Sequence, residues 1–208
     1  HGHNDLLSFE AMLDGVHLIS DCGAYLYTAD YHERNRFRST AYHNTPQIDG
    51  EEINRFIRWD SLWLLHNDAV PEVRAVTFGQ DTDRLVVSHG GYRCLKSAAT
   101  PVRSIELDHT KHRLTIRDQF EGEGAHRLEI PLHLAQGVKV DNPESGRLVL
   151  RVSQRIFVLS WEPISEWELR IEPGRISPSY GITCPTEVLI WQRIGPLATL
   201  AVVIEPMS

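Results

Sequence analysis

The chain has 208 residues, 41% of them hydrophobic and 24% charged, with a formal net charge of -7. This is the composition of an ordinary globular protein with room for one sizeable core, and it excludes a disordered chain. The absence of a basic block argues against a nucleic-acid partner, and no apolar run is long enough to cross a bilayer. Neither point excludes an anionic sugar held by a local cluster of Arg and His.

In chain order, Val16 to Ser20 reads as the first short strand, after the turn signal Asp14-Gly15. Turn signals follow at Asp49-Gly50, and Glu51 to Leu65 admits a helix as readily as a loop. There Ile53, Phe56, Ile57 and Trp63 would share one face, but Arg58-Trp59-Asp60 interrupts it and Pro71 follows. Leu85 to Ser88 is a strand ended by Gly90-Gly91. Arg103 to Leu107 and Leu114 to Arg117 flank a His-Thr-Lys-His turn, which predicts a hairpin. Leu148 to Val152 and Ile156 to Trp161 follow the turn at Glu144-Ser145-Gly146. A further turn is expected at Pro173-Gly174, and Glu187 to Trp191 and Leu197 to Ile204 are the last strands. So many short strands with frequent turns predict an all-β fold, a large antiparallel β-sandwich with few or no helices. Trp161, Trp167 and Trp191 are expected in its core rather than on a sugar-stacking surface.

Cys22, Cys94 and Cys184 form no CxxC pair and suggest no disulfide framework, so they leave the compartment open. His1 in place of Met points to an excised domain or a processed product.

The stretch richest in chemistry is His1-Gly2-His3-Asn4-Asp5. Histidines at i and i+2 on an extended segment face the same side. A tag remnant would also leave histidines here. His3, Asp21 and His43 would make a reasonable site for a divalent cation such as zinc, with one position left for water, substrate or another donor. Equally, Asp21 would cap a turn and His43 would be a hydrogen-bonded core residue. Arg36 and Arg38, side by side on a strand, offer bidentate forks for carboxylate or sulfate, or are solvated surface residues. Tyr25, Tyr27 and Tyr42 suit sugar stacking or internal packing. Cys22, next to Asp21, would point to the opposite side of a strand and stays outside the metal site, and Asn44 shapes a turn.

Three segments occur in order: His1 to Phe9, Asp21-Cys22-Gly23-Ala24-Tyr25-Leu26-Tyr27, and Asn35-Arg36-Phe37-Arg38-Ser39-Thr40-Ala41-Tyr42-His43-Asn44-Thr45 with Asp49-Gly50. Together they resemble the C-terminal domain of the heparinase II/III family, as do the later Asp118 to His126, Leu132-His133-Leu134 and Gly174 to Gly181. The Asn4 position is more often a small residue in that family. The resemblance implies a β-sandwich over residues 1–208 whose partner, an N-terminal helical toroid, is absent from this chain. It also implies a carbon-oxygen lyase that cleaves uronate-containing polysaccharide by β-elimination, with heparan sulfate or alginate as examples. By the resemblance His3, Asp21 and His43 fall on ligands of a mainly structural zinc, and His1 falls on the histidine that faces substrate. A tyrosine thought to act as base or acid would come from the toroid, so the isolated chain is expected to be inactive or nearly so. A periplasmic or secreted location follows by the same resemblance. The alternatives are a non-catalytic carbohydrate-binding or assembly domain and a metal-dependent hydrolase.

Overall fold

The structure is a computed structural model that describes residues 2–61 and 63–207. Strands β1 (Ala11–Leu13) and β2 (Val16–Ile19) come first, then helix α1 (Tyr31–Arg38) and the two-residue β3 (Gln47–Ile48). Strands β4 (Pro71–Phe78), β5 (Thr82–His89), β6 (Ala99–Asp108) and β7 (Arg113–Gly122) then pair in succession, and β8 (Ala125–His133) passes to another sheet. The chain closes with β9 (Lys139–Glu144), β10 (Arg147–Val152), β11 (Arg155–Glu162), β12 (Glu168–Ser179), β13 (Ile182–Pro196) and β14 (Leu200–Pro206). Eight strands form one antiparallel sheet in the order β4-β5-β6-β7-β14-β11-β10-β9, and four form another in the order β12-β13-β8-β3. The expected all-β architecture is what the chain adopts, with one short α-helix among the described residues.

Alternation decides which residues face inward. Leu148 and Leu150 on β10, Phe157, Leu159 and Trp161 on β11, and Leu200, Val202 and Ile204 on β14 are buried from one sheet. Leu128, Ile130 and Leu132 on β8 and Trp191 on β13 are buried from the other. Trp161 meets Trp191 edge-on at 5.9 Å between ring centroids, which joins the two layers. Each such burial contributes about 1.5–3 kcal/mol, so this interface supplies much of the driving force. All three core tryptophans lie where expected, Trp167 included.

The hairpin predicted around residues 109–112 is β6–β7, with Leu107 opposite Leu114. At Asp14-Gly15 both residues have positive φ, 51° and 74°, as a two-residue type I′ turn requires. One expectation is corrected and one open choice is settled. Pro173-Gly174 lies inside β12, an edge strand, where proline is tolerated. A Cβ at Gly174 would come 2.3 Å from Val188 Cγ2 on the adjacent β13, so this glycine permits close approach rather than a turn. Glu51 to Leu65 is no helix: Ile57, Trp63 and Leu64 are exposed, so no apolar stripe is buried. The helix is at Tyr31–Arg38 instead, where the Asp30 carboxylate accepts from the amides of His32 and Glu33 at 2.8 and 3.0 Å.

The β1–β2 hairpin docks on the end of β8. Ser20 N–H donates to the His133 carbonyl at 3.0 Å, and Ala135 N–H donates to Leu18 at 2.9 Å. This docking carries the segment after β2 across the end of the smaller sheet, where the polar cluster described next assembles.

Candidate metal centre

Beyond β2 the chain turns rather than continuing as a strand. The Gly23 amide donates to Asp21 Oδ2 at 2.8 Å, closing an Asx-type turn, and the Asp21 amide donates to Glu10 Oε1 at 3.0 Å. Ser177 N–H on β12 donates to the Cys22 carbonyl at 2.7 Å. Gly23 has φ +75°, and a Cβ there would stand 2.2 Å from the Ser177 carbonyl oxygen, so only glycine lets this turn lie against β12. In a turn, side chains do not alternate. Cys22 therefore does not point away from Asp21 as a strand would require, and its Sγ lies 3.7 Å from His43 Nδ1.

His43 follows the short 3₁₀ turn Thr40–Tyr42 and is fully buried. Its Nδ1 is 2.7 Å from Asp21 Oδ1, and its Nε2 is buried with no hydrogen-bond partner among the described residues. Donor atoms of Asp21, Cys22 and His43 all lie within 4.8 Å of one another. The half-buried His3 ring stands 5.2 Å from the His43 ring, centroid to centroid. Burial first, then His43, pulls the His3 pKa down to about 4, against the opposing pull of Asp21. Burial pushes the Asp21 carboxyl upward, but the hydrogen bond and charge of His43 and the Gly23 amide outweigh it and leave it below the ordinary value. The Cys22 thiol is raised well above its usual range, chiefly by burial and then by Asp21. The arrangement thus gathers a carboxylate, a thiol and an imidazole with the His3 ring next to His43, and leaves His43 Nε2 buried without a partner among the described residues. Such a mixed nitrogen, oxygen and sulfur donor set suits zinc.

The walls are fixed by groups outside the donor set. Asn44, expected only to shape a turn, is a buried hub. Its Nδ2 donates to the carbonyls of Phe9 and Ser20, both at 2.9 Å, and its Oδ1 accepts the His133 amide at 2.7 Å and faces His133 Nδ1 at 3.1 Å. His133 is held near a pKa of about 4, by burial first and then by His43. The carbonyl of Asn44 is also held by Arg103, whose Nη1 donates to Leu7 O at 2.9 Å. Asn4 is likewise a hub, donating to Glu52 at 2.7 Å and to the Asn54 carbonyl at 2.9 Å while accepting the Asn54 amide at 2.9 Å.

The proposed sugar-binding residues are distributed differently from the strand expectation. Arg36 and Arg38 are on α1, where i and i+2 do not share a face. Arg36 is exposed and pairs with Glu33 at 2.7 Å. Arg38 is fully buried, and its Nε donates to the Gly2 carbonyl at 2.8 Å while its backbone carbonyl accepts the Asn4 amide at 2.9 Å. Arg38 therefore seats the residues around His3. Tyr25 is half-buried against Phe37, at 5.1 Å between centroids. Tyr27 packs on Trp63 and Tyr180, and Tyr42 on Phe37 and His133. His1 lies outside the described residues.

A two-sheet sandwich with a nitrogen, oxygen and sulfur cluster at one end is thus the class that fold and site define. The sequence profile for the heparinase II/III-like C-terminal family matches residues 1–196, and the chain belongs to that family. The fold is similar to that of heparan sulfate lyase HepC from Pedobacter heparinus, with a TM-score of 0.81 and 16% identity over 100% of this chain and 31% of that one. It is also similar to a solved heparinase III gene product, with a TM-score of 0.80 and 18% identity over 99% of this chain and 30% of that one. The chain therefore spans about a third of the length of these structures. No match was found among curated protein sequences.

Proposed function

We propose that this chain is the metal-holding sandwich of a polysaccharide lyase that cleaves uronate-containing glycans by β-elimination, working with a helical domain that precedes it. The observation that supports the reading is the cluster of Asp21, Cys22 and His43 donor atoms, all within 4.8 Å of one another, with the His3 ring 5.2 Å from that of His43. These residues would hold zinc, and the ion would supply mainly rigidity, pinning three segments into one cleft wall.

In such an elimination the uronate carboxylate must be neutralised, so that the adjacent ring C–H can lose its proton and the developing enolate is stabilised. His1 would face the substrate, and Arg36, exposed and paired with Glu33, would offer it a guanidinium. Arg38 acts by positioning, since its buried fork holds the Gly2 carbonyl. The base or acid would come from the preceding domain, so the 208-residue chain alone has little activity.

The test is to assay the full-length protein and this chain on heparan sulfate and alginate, following the ultraviolet absorbance of the unsaturated uronate product. Full-length protein that cuts these polymers by hydrolysis, with no unsaturated end, sinks the lyase reading. Metal analysis of protein purified without added zinc, with and without Asp21→Ala, tests the centre itself.

One observation favours a second reading, a non-catalytic carbohydrate-binding domain. Trp59 is 60% exposed and stacks on the exposed His32 at 5.7 Å, beside Tyr31 at 5.9 Å. Glycan binding that survives His3→Ala in a full-length protein without lyase activity would support it.

A further inference from the structure

We infer that the Cys22 thiolate is a fourth ligand of the same cation, closing its shell together with His3, Asp21 and His43. This rests on the reading of the cluster as a metal centre. Three independent features carry it.

The first is distance. With zinc–sulfur and zinc–nitrogen bonds of about 2.3 and 2.0 Å, tetrahedral ligands would place sulfur and nitrogen about 3.5 Å apart. Cys22 Sγ and His43 Nδ1 are 3.7 Å apart. Asp21 Oδ1 and His43 Nδ1, at 2.7 Å, are closer than the roughly 3.3 Å of two tetrahedral light-atom ligands. A shared proton holds these two together, and an ion replacing it would need them to separate by about half an ångström.

The second is the turn. Adjacent residues on a strand cannot both point into one site, but Asp21 and Cys22 lie in an Asx-type turn completed by Gly23 and clamped by Ser177 N–H on the Cys22 carbonyl. The thiol donates weakly to two carbonyls, Gly23 at 3.3 Å and Phe37 at 3.4 Å. A thiol is a weak donor, so little is lost when it gives up those contacts.

The third is charge. Two neutral imidazoles and one carboxylate would leave a divalent cation with a net positive charge in a largely buried site. The fully buried Arg38 guanidinium already sets one positive charge against this segment through its bond to the Gly2 carbonyl, so a further positive charge is costly there. A thiolate beside the carboxylate brings the complex to neutrality. On binding, the metal–sulfur bond forms, the S–H bond breaks, and the proton passes to solvent. The closed shell leaves no position for a metal-bound water, so the ion is structural, and a metal-dependent hydrolase is disfavoured.

The experiment uses the full chain loaded with one equivalent of Co2+ in place of zinc, together with zinc-edge X-ray absorption of the zinc form. The expected result is a thiolate-to-cobalt charge-transfer band in the near ultraviolet and one sulfur scatterer at about 2.3 Å. A variant lacking Cys94 and Cys184 should keep the band, while Cys22→Ala should lose it, keep its strand circular dichroism and bind metal at least tenfold more weakly. Cobalt bound with visible d–d bands but no charge-transfer band, or an all-nitrogen/oxygen zinc shell, overturns the inference and leaves the metal centre standing. Failure of the wild-type chain to retain either metal overturns both. The absorption measurement needs no variant, so the result does not depend on Cys22→Ala folding.

Discussion

Replacing Asp118 tests how the sheet holds the polar cluster in place. Arg103 and Asp118 face each other across β6 and β7 with side chains 0% and 3% exposed, joined by two parallel bonds of 2.7 and 2.8 Å. Asp118→Leu would leave a buried guanidinium without its counter-charge, which costs about 3–5 kcal/mol out of a total stability on the order of 5–15 kcal/mol. Arg103→Met would strand the carboxylate and also the carbonyls of Leu7 and Asn44, at about 1–3 kcal/mol for each carbonyl. The double variant Arg103→Met/Asp118→Leu carries no buried charge and loses only the carbonyl partners, so it should cost about 2–6 kcal/mol. Urea unfolding of the four proteins at pH 7 should therefore show a coupling of at least about 3 kcal/mol between the two sites. Additivity within about 0.5 kcal/mol would refute the reasoning, because the pair would then not act as a unit.

Asn44→Ala removes donors from the Phe9 and Ser20 carbonyls and the acceptor of the His133 amide, so thermal unfolding should show a loss of at least about 3 kcal/mol. Asn44→Asp should not restore it, since a carboxylate oxygen would face those two carbonyls. Gly23→Ala forces a Cβ onto the Ser177 carbonyl in a left-handed conformation, and should cost about 2–4 kcal/mol in urea. Retention of wild-type stability would show that the turn does not lie against β12. His89 is buried, and burial, with Arg103 adding, lowers its pKa from 6.5 to about 4. The folded state keeps it neutral while the unfolded chain takes up its proton below pH 6.5, so its contribution to stability falls as the pH drops from 6.5 to about 4. His89→Gln should flatten the stability profile in that window by about 1.4 kcal/mol per pH unit, and an unchanged slope would count against the assignment.

The strands were legible because alternation leaves a direct trace, as in Leu148 and Leu150 or Phe157, Leu159 and Trp161. The same rule misled wherever the chain was not a strand. It set Arg36 and Arg38 on one face, although Asp30 followed three residues later by Glu33 is a helix-start signature. It also turned Cys22 away from Asp21 and His43, although Gly23 beside Asp21 signals a turn. Glu51 to Leu65 looked amphipathic, but much of its apolar surface stays exposed and Asn54 binds the amides of Asp68 and Ala69 instead. The roles of Asn44 and His133 left no trace in the sequence, because they depend on strands that are distant along the chain meeting end to end.

That separation along the chain has a consequence in time. Asp21, Cys22 and His43 lie in the first quarter of the sequence, but the groups that seat their segments are the His133 carbonyl and the Ser177 amide. A ribosome adds about 5–20 residues per second, so on the order of ten seconds pass between synthesis of the donors and of the strand that clamps them. Through that interval the carboxylate, thiol and imidazole are present without their scaffold. If the cluster holds a cation as proposed, its capture comes late in biosynthesis, and metal content would report how much of the population has finished folding.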